Sequence, residues 1–89
     1  MANQVYLLRI TEDATEDLHR LDQAVGNRIK NRLLWLAQNA GVIQHVGLTG
    51  KFSGLYKFRV GDYRILYELD QESRTITIYG IGHRRDIYE

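Results

Sequence analysis

Three cations stand close together near the middle of the chain, Lys57, Arg59 and Arg64, within the stretch "GLYKFRVGDYRILYE" of residues 54–68. Alternation of apolar and cationic residues on both sides of a Gly-Asp pair predicts a two-residue hairpin turn at Gly61 and Asp62. Val60 then faces Tyr63, Arg59 faces Arg64, Phe58 faces Ile65, Lys57 faces Leu66 and Tyr56 faces Tyr67. One face carries Val60, Tyr63, Phe58, Ile65, Tyr56 and Tyr67 and is apolar enough to cover helices. The other carries the three cations, pointing away from the core.

Direct opposition of two arginines is costly. Like charges across a strand pair destabilise it, by about 1 to 3 kcal/mol at ~5 Å for a dielectric between water and a protein surface. Lys57 and Arg59 lie roughly 6 to 7 Å apart along one strand face. All three can therefore converge on one phosphodiester, or on two neighbouring ones, and an anion there removes the repulsion. Crowded cations of this kind stabilise the charge that develops on a phosphorane.

The elements that must hold these residues are legible in outline. "QVYLLRI", Gln4 to Ile10, reads as a strand. Thr11 reads as an N-cap, with Ala14, Leu18 and Leu21 at helical spacing behind it. Asp22 caps a second helix whose stripe is Val25, Ile29, Leu33, Leu36 and Ala40, and Gly41 offers its stop. Leu34 and Trp35 lie off that stripe, covered either by a helical hairpin against the first helix, the preferred reading, or by a partner. "GVIQHVGLTGKFS" reads as a connecting loop with room for a short extended piece. Beyond it "LYKFRV", "YRILYEL" and "TITIYGI" alternate as a three-stranded antiparallel meander. The expected architecture is α+β: an N-terminal strand, two helices and the meander, with the helices on one face of a four-stranded sheet.

In the last strand, placing Leu69 opposite Thr75 sets Gly80 beside Arg64. Gly82 and Arg84 then continue on the cationic face. Two glycines leave a hollow there, and the tail "GHRRDIYE" brings His83, Arg84, Arg85 and Tyr88 to its rim, Tyr88 being a phenol able to stack on a base.

Composition narrows the function classes. The 89 residues suit one domain, 1–89, since a chain of this size buries only roughly 60 to 65% of its unfolded surface. There is no cysteine, so no disulfide or thiolate zinc site, which suits the cytoplasm. The N-terminus has no cationic leader and no stretch approaches the ~20 apolar residues of a membrane span. The net charge is only +1, yet residues 23 to 61 hold six Lys or Arg and no acid. The acids Glu12, Asp13, Glu16, Asp17 and Asp22 are read as residents of helix starts, where the dipole favours them. His19, His45 and His83 have no ligand spacing, so no metal and no cofactor are expected. Lys51 extends the basic track, although a solvated loop lysine is the plainer reading.

The segments "GLYKFRVGDYRILYELD" and "ITIYGIGHRRDIY" resemble the RelE/ParE superfamily of toxin-antitoxin toxins, specifically the RelE branch of mRNA interferases. The strand-helix-helix-meander order is similar over essentially the whole chain, with residues 54–88 the specific part. The resemblance implies metal-free, ribosome-dependent cleavage of mRNA in the A site by attack of the RNA's own 2′-hydroxyl. It implies Lys57 as general base, Arg59 and Arg64 holding the phosphate, Arg84 at the leaving oxygen and Tyr88 positioning a base. Lys51, His83 and Arg85 would bind RNA, and His83 is the base in relatives that use histidine. A cognate antitoxin would cover exposed apolar residues, with Leu34, Trp35 and Leu55 as candidates, and the complex would bind operator DNA through the antitoxin. Better-known members continue into a C-terminal helix after the tyrosine, have lysine at the position of Arg59 in some cases, and have a longer spacing to the tyrosine. Two other classes stay open: a ParE-like inhibitor of DNA gyrase, and a noncatalytic nucleic-acid-binding domain with steep salt dependence and no cleaved product.

Overall fold

The computed structural model describes residues 5–83. Five strands form one sheet in the order β1-β5-β4-β3-β2, with β1 Leu7–Ile10, β2 Val46–Gly47, β3 Tyr56–Val60, β4 Tyr63–Asp70 and β5 Thr75–His83. Two helices, α1 Glu12–His19 and α2 Gln23–Asn39, separate β1 from the rest. The expected α+β class holds, with one strand more than expected. The extra strand is the two-residue β2, an extended piece of the 41–53 loop paired antiparallel with Lys57 and Tyr56. The first strand is shorter than the apolar run suggested and runs parallel to β5, Leu7 facing Thr75 and Ile10 facing Ile78.

Local sequence explains both helices. Thr11 caps α1, its Oγ1 accepting from the Ala14 N–H at 3.2 Å. Ala14 and Leu18 are buried behind it, and Leu21 packs at the margin. Asp22 stands at the N-cap of α2 without a side-chain hydrogen bond. The predicted stripe is the one that is buried: Ile29, Leu33 and Leu36 are fully enclosed, Ala40 nearly so, and Val25 half. Each fully buried Leu or Ile contributes about 1.5 to 3 kcal/mol. Their partners are Val60, Ile65 and Tyr67 of the hairpin and Ile76, Ile78 and Ile81 of β5. Helix α2 stops without the left-handed glycine cap expected at Gly41. Instead the N–H groups of Val42 and Ile43 both fall on the Asn39 carbonyl.

The acids divide differently from the expectation that all sit at helix starts. Glu12 and Asp13 occupy the first turn of α1. Asp17 lies in the last, and its Oδ2 accepts from the Ile81 N–H at 3.0 Å, beyond the end of β1. A carboxylate thus satisfies an edge donor of β5 that no strand reaches, and ties α1 to the sheet.

The Gly61-Asp62 turn forms as expected, and the β3–β4 register is the predicted one at all five pairs. Gly61 has φ +60° and Asp62 does not enter the left-handed region, the pattern of a II′ hairpin turn. A Cβ at Gly61 would also run into the Arg28 guanidinium. We expect Gly61→Ala to cost about 1 to 3 kcal/mol and to lower the melting temperature by several degrees, readable by circular dichroism.

Register in β5 departs from the expectation. Asp70, not Leu69, faces Thr75, and a bulge between Leu66 and Tyr67 inserts Tyr79, so that Arg64 faces Gly82 and Leu66 faces Gly80. Asp70 organises the shorter loop, its Oδ1 accepting from the N–H groups of Glu72 and Ser73. These bonds, that from Ser73 first, hold its carboxyl below the usual carboxylate range. Among the described residues no helix is long and apolar enough to cross a membrane.

Candidate phosphate-binding groove

Because β2 covers only the start of β3, the edge of β3 beyond Lys57 is open on that side. An open groove of about 470 Å³ runs along it, lined by Lys57, Arg59 and Arg64 together with Arg32 and Trp35 of α2, Phe58, Tyr67 and residues of the 43–46 segment. The three predicted cations therefore come together in one cleft. In a two-residue hairpin the residues flanking the turn form a hydrogen-bonded pair. Arg59 and Arg64 consequently fall on the next, non-hydrogen-bonded site, where side chains approach most closely. Arg59 is exposed, and its Nε donates to the Gly61 carbonyl at 3.0 Å. Lys57 and Arg64 are half-buried. Among the described residues four cations and no carboxylate line the groove, which suits it to an anion.

Glycines 80 and 82 lie on the cationic face as expected, although two positions further along Arg64's strand than the simple register placed them. His83 faces Tyr63 across β4, on the side of the sheet that meets the helices, with the two rings edge to face at 5.7 Å. With Gly80, Gly82, Asp17, Arg20 and Tyr63 it lines a second hollow at the edge of β5, so it does stand at the rim of a hollow beside the two glycines. What differs from the expectation is that Lys57, Arg59 and Arg64 line the other groove and not this hollow. One residue per strand step alternates the face, so the His83 side chain leaves the sheet on the side opposite the cations.

Lys51 stands exposed on a 3-10 turn, Gly50–Phe52, its Nζ 5.5 Å from the Phe52 ring, and does not line the groove. Arg84, Arg85 and Tyr88 lie outside the described residues. Of the residues expected to meet an antitoxin, Leu34 is 54% exposed and Leu55 half-buried, and only Trp35 lines the groove. Helix α1 does not cover Leu34, and Trp35 packs on Phe58 of β3 instead, with ring centroids 6.1 Å apart and planes 15° from parallel. The helical-hairpin explanation fails because Leu34 stays exposed and Trp35 packs on β3 rather than on α1.

Two residues escaped sequence reasoning, Arg32 in the groove and His45 behind it. Arg32 places its guanidinium 4.4 Å from the Trp35 ring centroid and 5.5 Å from that of Phe58. Its i, i+3 spacing from Trp35 was the available signal. His45 anchors the 41–47 segment. Its Nε2–H donates to the Ala40 carbonyl at 2.9 Å, which leaves Nδ1 to accept from the Tyr67 hydroxyl at 2.6 Å. No pattern in the chain announces that contact.

Tyr67 is 1% exposed, and burial, with Tyr56 beside it as a second cause, pushes its phenol up to about 12 from an ordinary 10. Between those values the unfolded chain releases a proton that the folded one keeps, so stability falls as pH rises. The loss at this residue is at most about 1.4 kcal/mol for each pH unit. Urea midpoints at pH 9 and pH 11 should differ, and Tyr67→Phe should shrink that difference.

A two-helix layer on one face of a mixed five-stranded sheet, with cations crowded on the meander, is the RelE-like α+β fold. The family model described as ParE toxin of type II toxin-antitoxin system, parDE, matches residues 8–88. Toxin RelG of Mycobacterium tuberculosis is 30% identical over 83 residues, 93% of this chain and 95% of that protein. The toxin-antitoxin complex RelBE2 from M. tuberculosis contains a chain with a TM-score of 0.81 and 29% identity, covering 92% of this chain and 94% of that one. An archaeal RelE-RelB complex from Pyrococcus horikoshii gives a TM-score of 0.73 at 23% identity, covering 93% and 99% of the two chains, and supports the fold alone. The chain belongs to the RelE/ParE superfamily of type II toxin-antitoxin toxins.

Proposed function

We propose that this toxin, acting as one domain, is an endoribonuclease that cleaves mRNA in the ribosomal A site and so stops translation in the cytoplasm. The observation that carries the reading is the directly opposed pair Arg59 and Arg64 beside Lys57 in a groove that no carboxylate lines among the described residues. Such a pair is unfavourable in the empty protein and favourable around a phosphodiester.

Lys57, in its neutral form, accepts the proton of the RNA 2′-hydroxyl. The freed oxygen attacks the adjacent phosphorus, and Arg59 and Arg64 hold the two equatorial oxygens of the five-coordinate phosphorane as charge builds on them. The bond to the 5′-oxygen then breaks and that oxygen takes a proton from solvent water, leaving a 2′,3′-cyclic phosphate and a 5′-hydroxyl, while Lys57 returns its proton to solvent. His83 faces the other side of the sheet, which favours Lys57 over it as the base. Arg84 at the leaving oxygen, Tyr88 under a base, and Lys51 and Arg85 on flanking RNA complete the reading from the resemblance. It requires no metal or cofactor. Products carrying a 2′,3′-cyclic phosphate support this chemistry, and products with a 5′-phosphate contradict it.

A cognate antitoxin is the expected partner, since the solved relatives include complexes of RelE-type toxins with RelB. Its contact is proposed on Leu34, Trp35 and Leu55, of which Leu34 is the most exposed. Alanine substitution at Leu34 should weaken that complex, and operator DNA would be bound through the antitoxin. The ParE name of the matching family model gives standing to a second reading, inhibition of DNA gyrase without cleavage. The opposed arginines have no assigned task in that reading.

A further inference from the structure

We propose that Trp35, with Phe58 beside it and Arg32 over it, forms a stacking subsite for an unpaired nucleobase next to the phosphate bound by Lys57, Arg59 and Arg64. The subsite rests on the RNA-cleavage reading and adds to it a place for the base.

The two aromatic rings lie within 15° of parallel and line the same groove as the cations. Phe58 and Lys57 leave β3 on opposite faces, and the groove wraps the open strand edge so that both line it together with Trp35, Arg59 and Arg64. Trp35 keeps 36% of its surface exposed although it packs on Phe58. A flat, partly wet aromatic surface adjoining crowded cations is the combination that single-stranded nucleic acid uses: phosphates pair with charge while bases stack on rings. An apolar helix laid in this groove would instead cover four cationic side chains with apolar surface, at a desolvation cost that phosphates do not incur. The half-exposed cation–π contact of Arg32 is weak enough for a base to displace it. Arg32 then swings to the phosphate on the far side of that base, giving the strand a charged clamp on both flanks of one stacked nucleotide.

Trp35 is the single tryptophan of the chain, so its emission reports on this subsite alone. The probe is an adenosine pentaribonucleotide with a 2′-deoxy third residue, which lacks the attacking hydroxyl. Its control is an abasic phosphodiester oligomer of equal length. We expect the pentanucleotide to quench Trp35 emission and the abasic oligomer to leave it unchanged. Binding of a labelled pentanucleotide, followed by anisotropy, should weaken about tenfold in Trp35→Ala and less in Trp35→Phe, which keeps a ring. Arg32→Gln, a change at the surface of α2, should weaken it severalfold and serves if Trp35→Ala does not fold.

Equal quenching by the abasic oligomer would overturn the subsite, because phosphate alone would then account for it. Binding that requires Arg64 but leaves Trp35 emission unchanged would also overturn it while the cleavage reading stands. No binding of the pentanucleotide would overturn the subsite, while the ribosome-dependent cleavage reading is decided by its own assay on programmed ribosomes. Because the antitoxin contact is itself proposed to include Trp35, quenching by antitoxin is compatible with the base site, whereas quenching by antitoxin with none by the pentanucleotide would refute it.

Discussion

Arg64→Ala is expected to lower cleavage by about 100- to 1,000-fold, the usual loss when one preorganised donor to a developing oxyanion is removed. The chain should remain folded. Arg64 is half-buried on the face of β4 opposite the core and is not part of the buried apolar cluster. Arg59→Thr provides the complementary test. It removes the exposed member of the opposed pair and places a β-branched residue in a strand, so stability should rise by several tenths of a kcal/mol. Activity should fall by about 100-fold. Thermal melts of both proteins beside their cleavage rates would read the two effects separately. A loss of both stability and activity in Arg59→Thr would mean that the pair is structural, not held apart for a ligand.

Tyr67→Ala carries the largest expected loss of stability, about 3 to 5 kcal/mol, as for other large aromatic truncations. Tyr67 is among the largest fully buried side chains, and its ring stacks on Tyr56 with centroids 5.6 Å apart. Its hydroxyl also fixes His45 and through it the segment that ends in β2. Folded domains of this size commonly hold only 5 to 15 kcal/mol, so the variant should be partly unfolded at 37 °C. Tyr67→Phe separates the two contributions. It keeps the ring and removes only the bond to His45, which should cost about 1 to 2 kcal/mol. Chemical denaturation with fluorescence detection would measure both. Equal losses in the two variants would show that the hydroxyl, not the ring, dominates.

The β3–β4 hairpin was fully legible because its information is local: a Gly-Asp turn fixes register, and register fixes the face of every residue that follows. Helix stripes and the Thr11 cap were legible for the same reason. What escaped depends on distant partners. Parallel pairing of β1 with β5 joins the two ends of the chain, and nothing in "LLRI" names its neighbour. The β5 register contained two single-residue errors. The loop is one residue shorter than expected, and the bulge at Tyr79 shifts the register by one more in the same direction. One such shift alone turns a strand over. Together they restored Gly80 and Gly82 to the cationic face while placing Ile76 and Ile78 in the core. The step of three from Ile78 to Ile81, after a step of two from Ile76, was the trace of that bulge in the sequence. In the groove, the cations were legible as a set, whereas Arg32, Trp35 and His45 acquired their places only through the packing of α2 and the 41–47 segment.

The central claim is that the opposed cations of this toxin hold an mRNA phosphate during cleavage. Its most direct test adds the purified protein to ribosomes programmed with a defined mRNA and maps the new ends by primer extension, with Arg64→Ala and naked mRNA run beside it. The account predicts new ends confined to the ribosomal A site, absent in the variant. Intact mRNA after incubation with folded wild-type protein would contradict it and bring gyrase inhibition to the front.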